Sequence, residues 1–400
     1  MIATEYLTPG KSFDQATQAM LALFDNVGYV LGKPRAVIKP NMVDAMSPLE
    51  AVDTNPFVVG GLVLALADRG AEEILVGDGS AYFSNEERTW NRLLEESGYT
   101  AMRDRLASDH GIVVTLVNLV TAPREPYPWK FGALQLPSLC RSHEYIDIAK
   151  MKTHVITQVS MALKNQNGLI TLADKKAFHM GKKYGSLHEC INELGLAVRP
   201  DLAIVDGTRA LGGSGPTSAP DGQTKVRHPK VLIGGMDAFE VDTAACQVMG
   251  IPVSDVKHLI PVEVTLADGS QPLVPVDPPF ARPKPWVLAT TGFYIDLGEK
   301  CCTGCQMARS RMFRKISFAP EIKRDFARFR HEHDRVDFIM GAMETDEIEA
   351  IRENGGTLVF FGNCTKKLAE QNNALHIAGC PPDHNEAIRQ FLGEIEGTSD

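Results

Sequence analysis

No stretch of this 400-residue chain approaches the ~18 consecutive uncharged apolar residues that a membrane-spanning helix needs. Met1 to Lys11 lacks a basic segment followed by an apolar one, so no secretory leader is expected and a cytoplasmic location is. A basic excess is missing too: 41 Lys and Arg against 50 Asp and Glu give a net charge of −9, which argues against a nucleic-acid partner. Nucleotide fingerprints are absent. Leu211-Gly212-Gly213-Ser214-Gly215-Pro216 is glycine-rich, but it lacks the Lys-Ser/Thr ending of a P-loop and the spacing of a dinucleotide site, so a flexible loop over a substrate is the expectation. No flavin or nicotinamide motif stands elsewhere, and no run of the form Cys-x-x-Cys-x-x-Cys-x-x-x-Cys-Pro occurs.

What the chain does have is a concentration of cysteine near its end. Five of its eight cysteines fall in three clusters, Cys301-Cys302-Thr303-Gly304-Cys305, Asn363-Cys364-Thr365 and Gly379-Cys380-Pro381-Pro382. In a reducing compartment, clustered cysteines point to metal binding or catalysis rather than disulfides. One Cys-x-x-Cys pair plus two single cysteines supplies four thiolates, the ligand set of a [4Fe-4S] cluster. Cys302, Cys305, Cys364 and Cys380 are the expected ligands, with Cys301 an alternative to Cys302. Zinc also takes four thiolates, but its usual modules carry two short knuckles where this chain has one. Cys140, Cys190 and Cys246 stand alone and read as core residues.

With 44% apolar and 23% charged residues, the chain is long enough for two domains with their own cores. Apolar runs at Ala36–Ile38, Ile74–Val76, Ile112–Val117, Tyr145–Ile148, Leu202–Val205 and Val231–Ile233 read as buried strands. Helical stretches such as Phe57–Arg69 and Leu187–Leu196 lie between them. That alternation predicts an α/β fold with a mostly parallel sheet and helices on both faces. Residues 1–251 form the expected first domain, 252–285 a proline-rich connection, and 286–400 a smaller α/β domain carrying the cysteines. In that domain Cys364 and Cys380 each follow a strand, which places both at the carboxyl rim of a sheet.

Polar residues gather at the strand ends of the first domain: Lys39-Pro40-Asn41, Gly77-Asp78-Gly79-Ser80, Lys150-Met151-Lys152-Thr153-His154 and Asp206-Gly207-Thr208. Several strand ends of this kind point to a binding cleft. Lys39, Lys150, Lys152 and Lys164 would line it with positive charge, and Asn41, Ser80 and Asn165 would donate hydrogen bonds to a carboxylate or phosphate. His154 is the candidate acid or base, with Lys150 and Lys152 beside it. Asp78 and Asp206 could bind a metal, orient a lysine or cap a turn. Asp174 to Lys183 reads as either a lid or a solvated basic loop.

Lys39-Pro40-Asn41, Lys150 to His154, Ala162-Leu163-Lys164-Asn165 with Gly168, Pro200-Asp201 leading to Asp206-Gly207, Gly213 to Pro216, and Asp237 to Asp242 together resemble the "domain of unknown function 362" family, over about residues 34–250. The resemblance implies an iron–sulfur protein without an assigned reaction. Gly379-Cys380-Pro381-Pro382 is similar, locally, to a cluster-ligand motif in the small subunits of hydrogenases and respiratory complex I.

The expectation is therefore a [4Fe-4S] oxidoreductase that passes electrons from a ferredoxin-like donor to a small anionic substrate, with His154 supplying protons. A hydro-lyase or isomerase using the cluster as a Lewis acid, and a non-enzymatic electron or cluster carrier, are the alternatives. Assembly as a homo-oligomer is compatible with the sequence.

Overall fold

The computed structural model describes residues 1–8, 10, 12–79, 87–181, 183–217, 224–283, 293–298, 301–318, 321, 324–325, 335–353 and 355–397. The chain divides into two compact units, Met1–Lys175 with His188–Pro283, and Lys176–Leu187 with Lys284–Asp400.

The strands of the first unit are β1 (Ile2–Tyr6), β2 (Arg35–Pro40), β3 (Glu73–Asp78), β4 (Val114–Asn118), β5 (Arg124–Trp129), β6 (Gly132–Pro137), β7 (Glu144–His154), β8 (Gln158–Ser160), β9 (Leu202–Gly213), β10 (Thr224–Arg227) and β11 (Val231–Gly235). Its main sheet runs β1-β11-β9-β7-β2-β3-β4. The pairings from β9 through β7, β2 and β3 to β4 are parallel, and β11 joins β9 and β1 antiparallel. The mixed α/β class and the large, mostly parallel sheet are thus as the alternating pattern predicts.

The α-helices described up to residue 250 are α1 (Asp14–Val27), α2 (Pro56–Asp68), α3 (Glu87–Glu96), α4 (Tyr99–His110), α5 (Leu139–Ser142), α6 (Ala162–Asn165), α7 (Leu172–Met180), α8 (Leu187–Ala197) and α9 (Ala238–Met249). Neighbouring β11 residues show how the pleat uses both faces. A Cβ on Gly234 would meet the Leu23 side chain of α1 at 2.6 Å, whereas one on Gly235 would meet Val241 of α9 at 3.3 Å. Helix α2 carries Gly60-Gly61 in mid-helix, an unfavourable choice for propensity alone. Packing explains it: a Cβ at either position would fall within 2.6 Å of Phe13 or Ala16, so the two glycines let α1 cross closely. Asn55 caps α2 by accepting from Phe57 N at 3.0 Å, and Pro56 opens its first turn.

The 252–283 stretch, expected as a connection, belongs to the first unit. Ile2 N donates to Thr265 O at 2.9 Å, Ala267 N to Ile2 O at 2.8 Å, and Phe280 N to Met249 O at 2.9 Å. Extended, proline-rich chain can satisfy its backbone along existing elements without a helix of its own.

The second unit holds a parallel sheet, β12 (Phe293–Leu297), β13 (Val336–Met340), β14 (Thr357–Phe361) and β15 (Leu375–Ile377), in sequence order. Helix α10 (Thr303–Phe318) and helix His384–Gly397 bury Phe313 and Phe391 against Phe293, Phe338 and Phe361 on one face. Helices Thr345–Arg352 and Lys366–Asn372 bury Ile348 and Ala369 against Ile339, Leu358 and Phe360 on the other.

Candidate functional site

The chain leaves β2 toward β3 and β4 on one side of the first sheet and returns through β7 to β9 on the other. The carboxyl ends of β2 and β7 are therefore a switch point, where open α/β sheets leave a crevice. Lys39 and Asn41 stand at one side of it and Lys150 to His154 at the other, with Asp78 at the end of β3; Asp206, expected just after a strand, instead lies inside β9, in register with Lys150.

The pleat sorts these residues onto two faces. Lys39 is in register with Asp147, and Lys150 with Asp206, while Lys39 and Lys150 alternate oppositely along their strands. On the Lys39 side, the Nζ pairs with Asp78 Oδ1 at 2.7 Å and donates to Asn165 Oδ1 at 3.0 Å. Asn165 Nδ2 donates to Asp147 Oδ1 at 2.6 Å, and Asn41 Nδ2 to Asn165 Oδ1 at 3.1 Å. On the other side, Lys150 Nζ pairs with Asp206 Oδ2 at 2.8 Å, and Lys152 Nζ donates to Val52 O at 2.7 Å. Lys39, Lys150 and Lys152 are each no more than 1% exposed. Three of the four lysines expected to line an open cationic cleft thus have buried partners within the fold, because burying an ammonium group requires compensation.

The segment between β2 and α2 closes over these pairs. Met42 N donates to Asp78 Oδ2 at 2.8 Å, Val43 N to Asp53 Oδ1 at 2.6 Å, and Asn55 N to Asp206 Oδ2 at 3.0 Å. Asp206 also accepts from Thr208 N at 2.9 Å and Thr208 Oγ1 at 2.6 Å. Asp78 and Asp206 therefore each orient a lysine and tie down a turn. Burial pushes the Asp53 carboxyl up and Lys152 down, each opposed by the other's charge.

His154 ends β7 and is 7% exposed. Its Nδ1 accepts from Ile156 N at 3.1 Å and Thr157 N at 3.4 Å, so the turn after β7 holds the ring with its proton on Nε2. Ser80 lies outside the described residues, as does Lys182 of the expected lid or basic loop. The glycine-rich stretch from Leu211 begins as the end of β9, and Thr153 Oγ1 donates to Gly213 O at 2.6 Å. Residues 174–180 of the expected lid or basic loop lie in α7.

Lys164 stands apart from the other lysines. Among the described residues its ammonium group has neither a carboxylate nor a hydrogen-bond partner, and burial, with Lys175 nearby, pushes it down to about 8. Helix α6, which carries it, is set by Asp242. That carboxylate accepts from Ala162 N at 2.8 Å and Leu163 N at 3.0 Å, and burial pushes it up to about 7.

Sequence reasoning missed Asp147, Asp53, His188 and His258, and took in Asp242 only as the end of the Asp237 to Asp242 stretch, without a role. Asp147 could have been found, since a carboxylate inside the apolar run Tyr145–Ile148 must be buried on one face or the other. The two histidines gave no such signal, because they are distant in sequence and meet only in the fold. His188 and His258 stack with ring centroids 5.8 Å apart at 18°. Burial holds both neutral, pushing His188 down to about 4 and His258 to about 3.

A pH dependence follows. Between pH 6.5 and about 4 the unfolded chain takes up protons at these rings that the folded chain does not, so stability present above pH 6.5 is lost as pH falls. One such ring contributes a slope of up to about 1.4 kcal/mol per pH unit. The His258→Phe variant is expected to lose stability less steeply over that window than wild type, measured by urea unfolding at stepped pH. Equal slopes would contradict the buried neutral state.

No disulfide joins any of the eight cysteines, and Cys190 and Cys246 lie in the core of the first unit. In the second unit, Cys301, Cys302 and Cys305 follow β12, Cys364 follows β14 and Cys380 follows β15. A Cβ on Gly362 would lie 2.9 Å from Cys305 Sγ and 3.9 Å from Cys364 Sγ. One on Gly304 would lie 3.5 Å from both Cys302 Sγ and Pro381 Cγ. Asn363 N donates to Gly379 O at 2.8 Å and Gly379 N to Asn363 Oδ1 at 2.7 Å, which ties the Cys364 and Cys380 loops side by side. A hydrogen bond with Cys302, followed by burial, pushes the Cys305 thiol up, and the charges of Cys364 and Cys301 add to this. Among the described residues, no group of three or more His, Cys, Asp or Glu is arranged to hold a metal ion.

Fold and site define an α/β protein of two units, with buried lysine–carboxylate pairs at the switch point of the larger sheet and a cysteine-bearing rim on the smaller. The chain belongs to the family described as Domain of unknown function (DUF362), whose model matches residues 36–247, more than half of its length. The matched segment runs from β2 into α9 and so takes in the switch point but stops short of the clustered cysteines. A thylakoid-associated protein of Synechocystis sp. is similar, at 24% identity over 247 residues that cover 60% of this chain and 72% of that one. No described helix of this chain is long and apolar enough to cross a membrane.

Proposed function

We propose that the second unit binds a [4Fe-4S] cluster and that the protein is a cytoplasmic oxidoreductase, passing electrons from a ferredoxin-like donor to a small anionic substrate held by the first unit. The observation that carries this reading is the gathering of cysteines from three loops at one sheet rim, with Cys305 and Cys364 both against Gly362. Cys302, Cys305, Cys364 and Cys380 would hold the cluster, and the tie between Asn363 and Gly379 would keep the last two loops in step. The cluster would supply one-electron chemistry at a potential set by burial and by hydrogen bonds to its sulfurs.

Arg309 supports an anionic group at this rim. It lies one helical turn after Cys305 and is 3% exposed. Its Nη2 donates to Ser310 Oγ at 3.2 Å, while Nε and Nη1 have no partner among the described residues. A buried guanidinium without a carboxylate is expensive unless another anion compensates it, and a cluster ligated by four thiolates carries net negative charge. Cys301 is near enough that a thiolate there would act on Arg309.

Iron and acid-labile sulfide analysis after anaerobic purification tests the reading, with electron paramagnetic resonance before and after dithionite. About four irons and four sulfides per chain are expected, with a signal on reduction and loss of iron in each Cys→Ala variant at 302, 305, 364 and 380. If only three of these cysteines prove necessary, one iron is open and the Lewis-acid alternative is favoured. Zinc without sulfide overturns the cluster.

A further inference from the structure

His258 is 1% exposed, and neither its Nδ1 nor its Nε2 has a hydrogen-bond partner among the described residues. The ring stacked on it, His188, likewise buries an unpartnered Nδ1. These are not loosely placed side chains. His188 is the second residue of the eleven-residue helix α8, and Asn192, one turn later, donates to His258 O at 3.1 Å. Buried polar nitrogens are nearly always satisfied by protein, water or ligand, so two facing imidazoles with three idle nitrogens mark a place built for an occupant.

The surrounding charge decides its sign. Lys164 acts on both rings and Lys257 on His188, and no carboxylate is among the charges acting on either. The amino end of α8 adds its own positive dipole. A divalent cation would meet two ammonium groups there. An oxyanion would instead receive a ring N–H and an ammonium, and it would give Lys164 the counter-charge that it lacks among the described residues.

We propose that Lys164, His188 and His258 bind a small oxyanion, a carboxylate or phosphate group. That this anion is the substrate rests on the redox reading above; its binding does not.

Calorimetry on the full chain, with inorganic phosphate and separately with succinate, tests the proposal, with iron measured on each sample. Saturable binding of one probe is expected in wild type. Loss of a charge-assisted hydrogen bond should weaken it by about tenfold or more in both Lys164→Met and His258→Phe, with iron content unchanged. If His258→Phe does not fold, Lys164→Met and His188→Phe carry the comparison. Absence of saturable binding by wild type would mean that the rings enclose water only, and equal affinity in the variants would mean that the anion binds elsewhere; either result overturns the proposal. Wild type that binds phosphate but holds no iron would overturn the redox reading and leave this site standing.

Discussion

Replacing Lys150 by methionine is expected to lower the unfolding free energy by about 3–5 kcal/mol, the usual cost of stranding one member of a buried ion pair. Lys150 is 1% exposed and Asp206 0%, with 2.8 Å between Nζ and Oδ2. Without the ammonium group, Asp206 keeps its bonds from Asn55 N, Thr208 N and Thr208 Oγ1 but loses its counter-charge. The same carboxylate holds the first residue before α2, so the damage should spread to the segment covering the switch point. Adding Asp206→Asn should recover part of the loss, since the double variant buries no unpaired charge. The double is expected to cost at least ~1 kcal/mol less than the sum of the singles. Lys33→Met is the control, because Lys33 is 37% exposed in its pairs with Glu144 and Asp201 and should cost under about 1 kcal/mol. Urea unfolding followed by circular dichroism and tryptophan fluorescence measures all four. Additivity of the two singles would show that the charges do not compensate each other.

Gly168→Ala should drive a methyl group directly into the Lys39–Asp78 pair at the first unit's switch point. Its Cβ would lie 2.1 Å from Asp78 Oδ1, 2.5 Å from Lys39 Cε and 2.7 Å from Lys39 Nζ. None of these atoms can retreat easily. Asp78 is held by Met42 N, Lys39 by Asn165, and the Gly168 carbonyl is itself packed so that a Cβ on Gly79 would approach it to 2.0 Å. Overpacking alone costs typically ~1–3 kcal/mol, and separating Lys39 from Asp78 adds to it, so a loss of about 3 kcal/mol or more is expected. The backbone of Gly168 is not in the left-handed region, so the effect is steric rather than conformational. Thermal and urea unfolding check it, and a change below about 0.5 kcal/mol would mean that the turn after α6 does not press on the ion pair.

The strands were legible from short apolar runs, because burial on both faces leaves little room for polar residues in a parallel sheet. Ala36–Ile38, Ile74–Val76, Leu202–Val205 and Val231–Ile233 all fall within β2, β3, β9 and β11. Lys39, Asn41 and Asp78 were legible as strand-end residues for the same reason, as interruptions of apolar pattern, whereas Lys150 and Asp206, read the same way, lie inside β7 and β9, which run on to His154 and Gly213. What they touch was not. The sequence offered four lysines as one cationic lining; the fold gives three of them buried partners and leaves Lys164 without one among the described residues.

The family, the α/β class and the cysteine positions along the chain are thus properties of the sequence itself, since motif spacing and hydrophobic periodicity are local. Which charges compensate one another was decided only by tertiary structure. Lys150 and Asp206 are 56 residues apart, and they meet because β7 and β9 pair in one register; a shift by one residue would turn each to the opposite face. His188 and His258 owe their stacking to the same kind of long-range placement, which no spacing along the chain records.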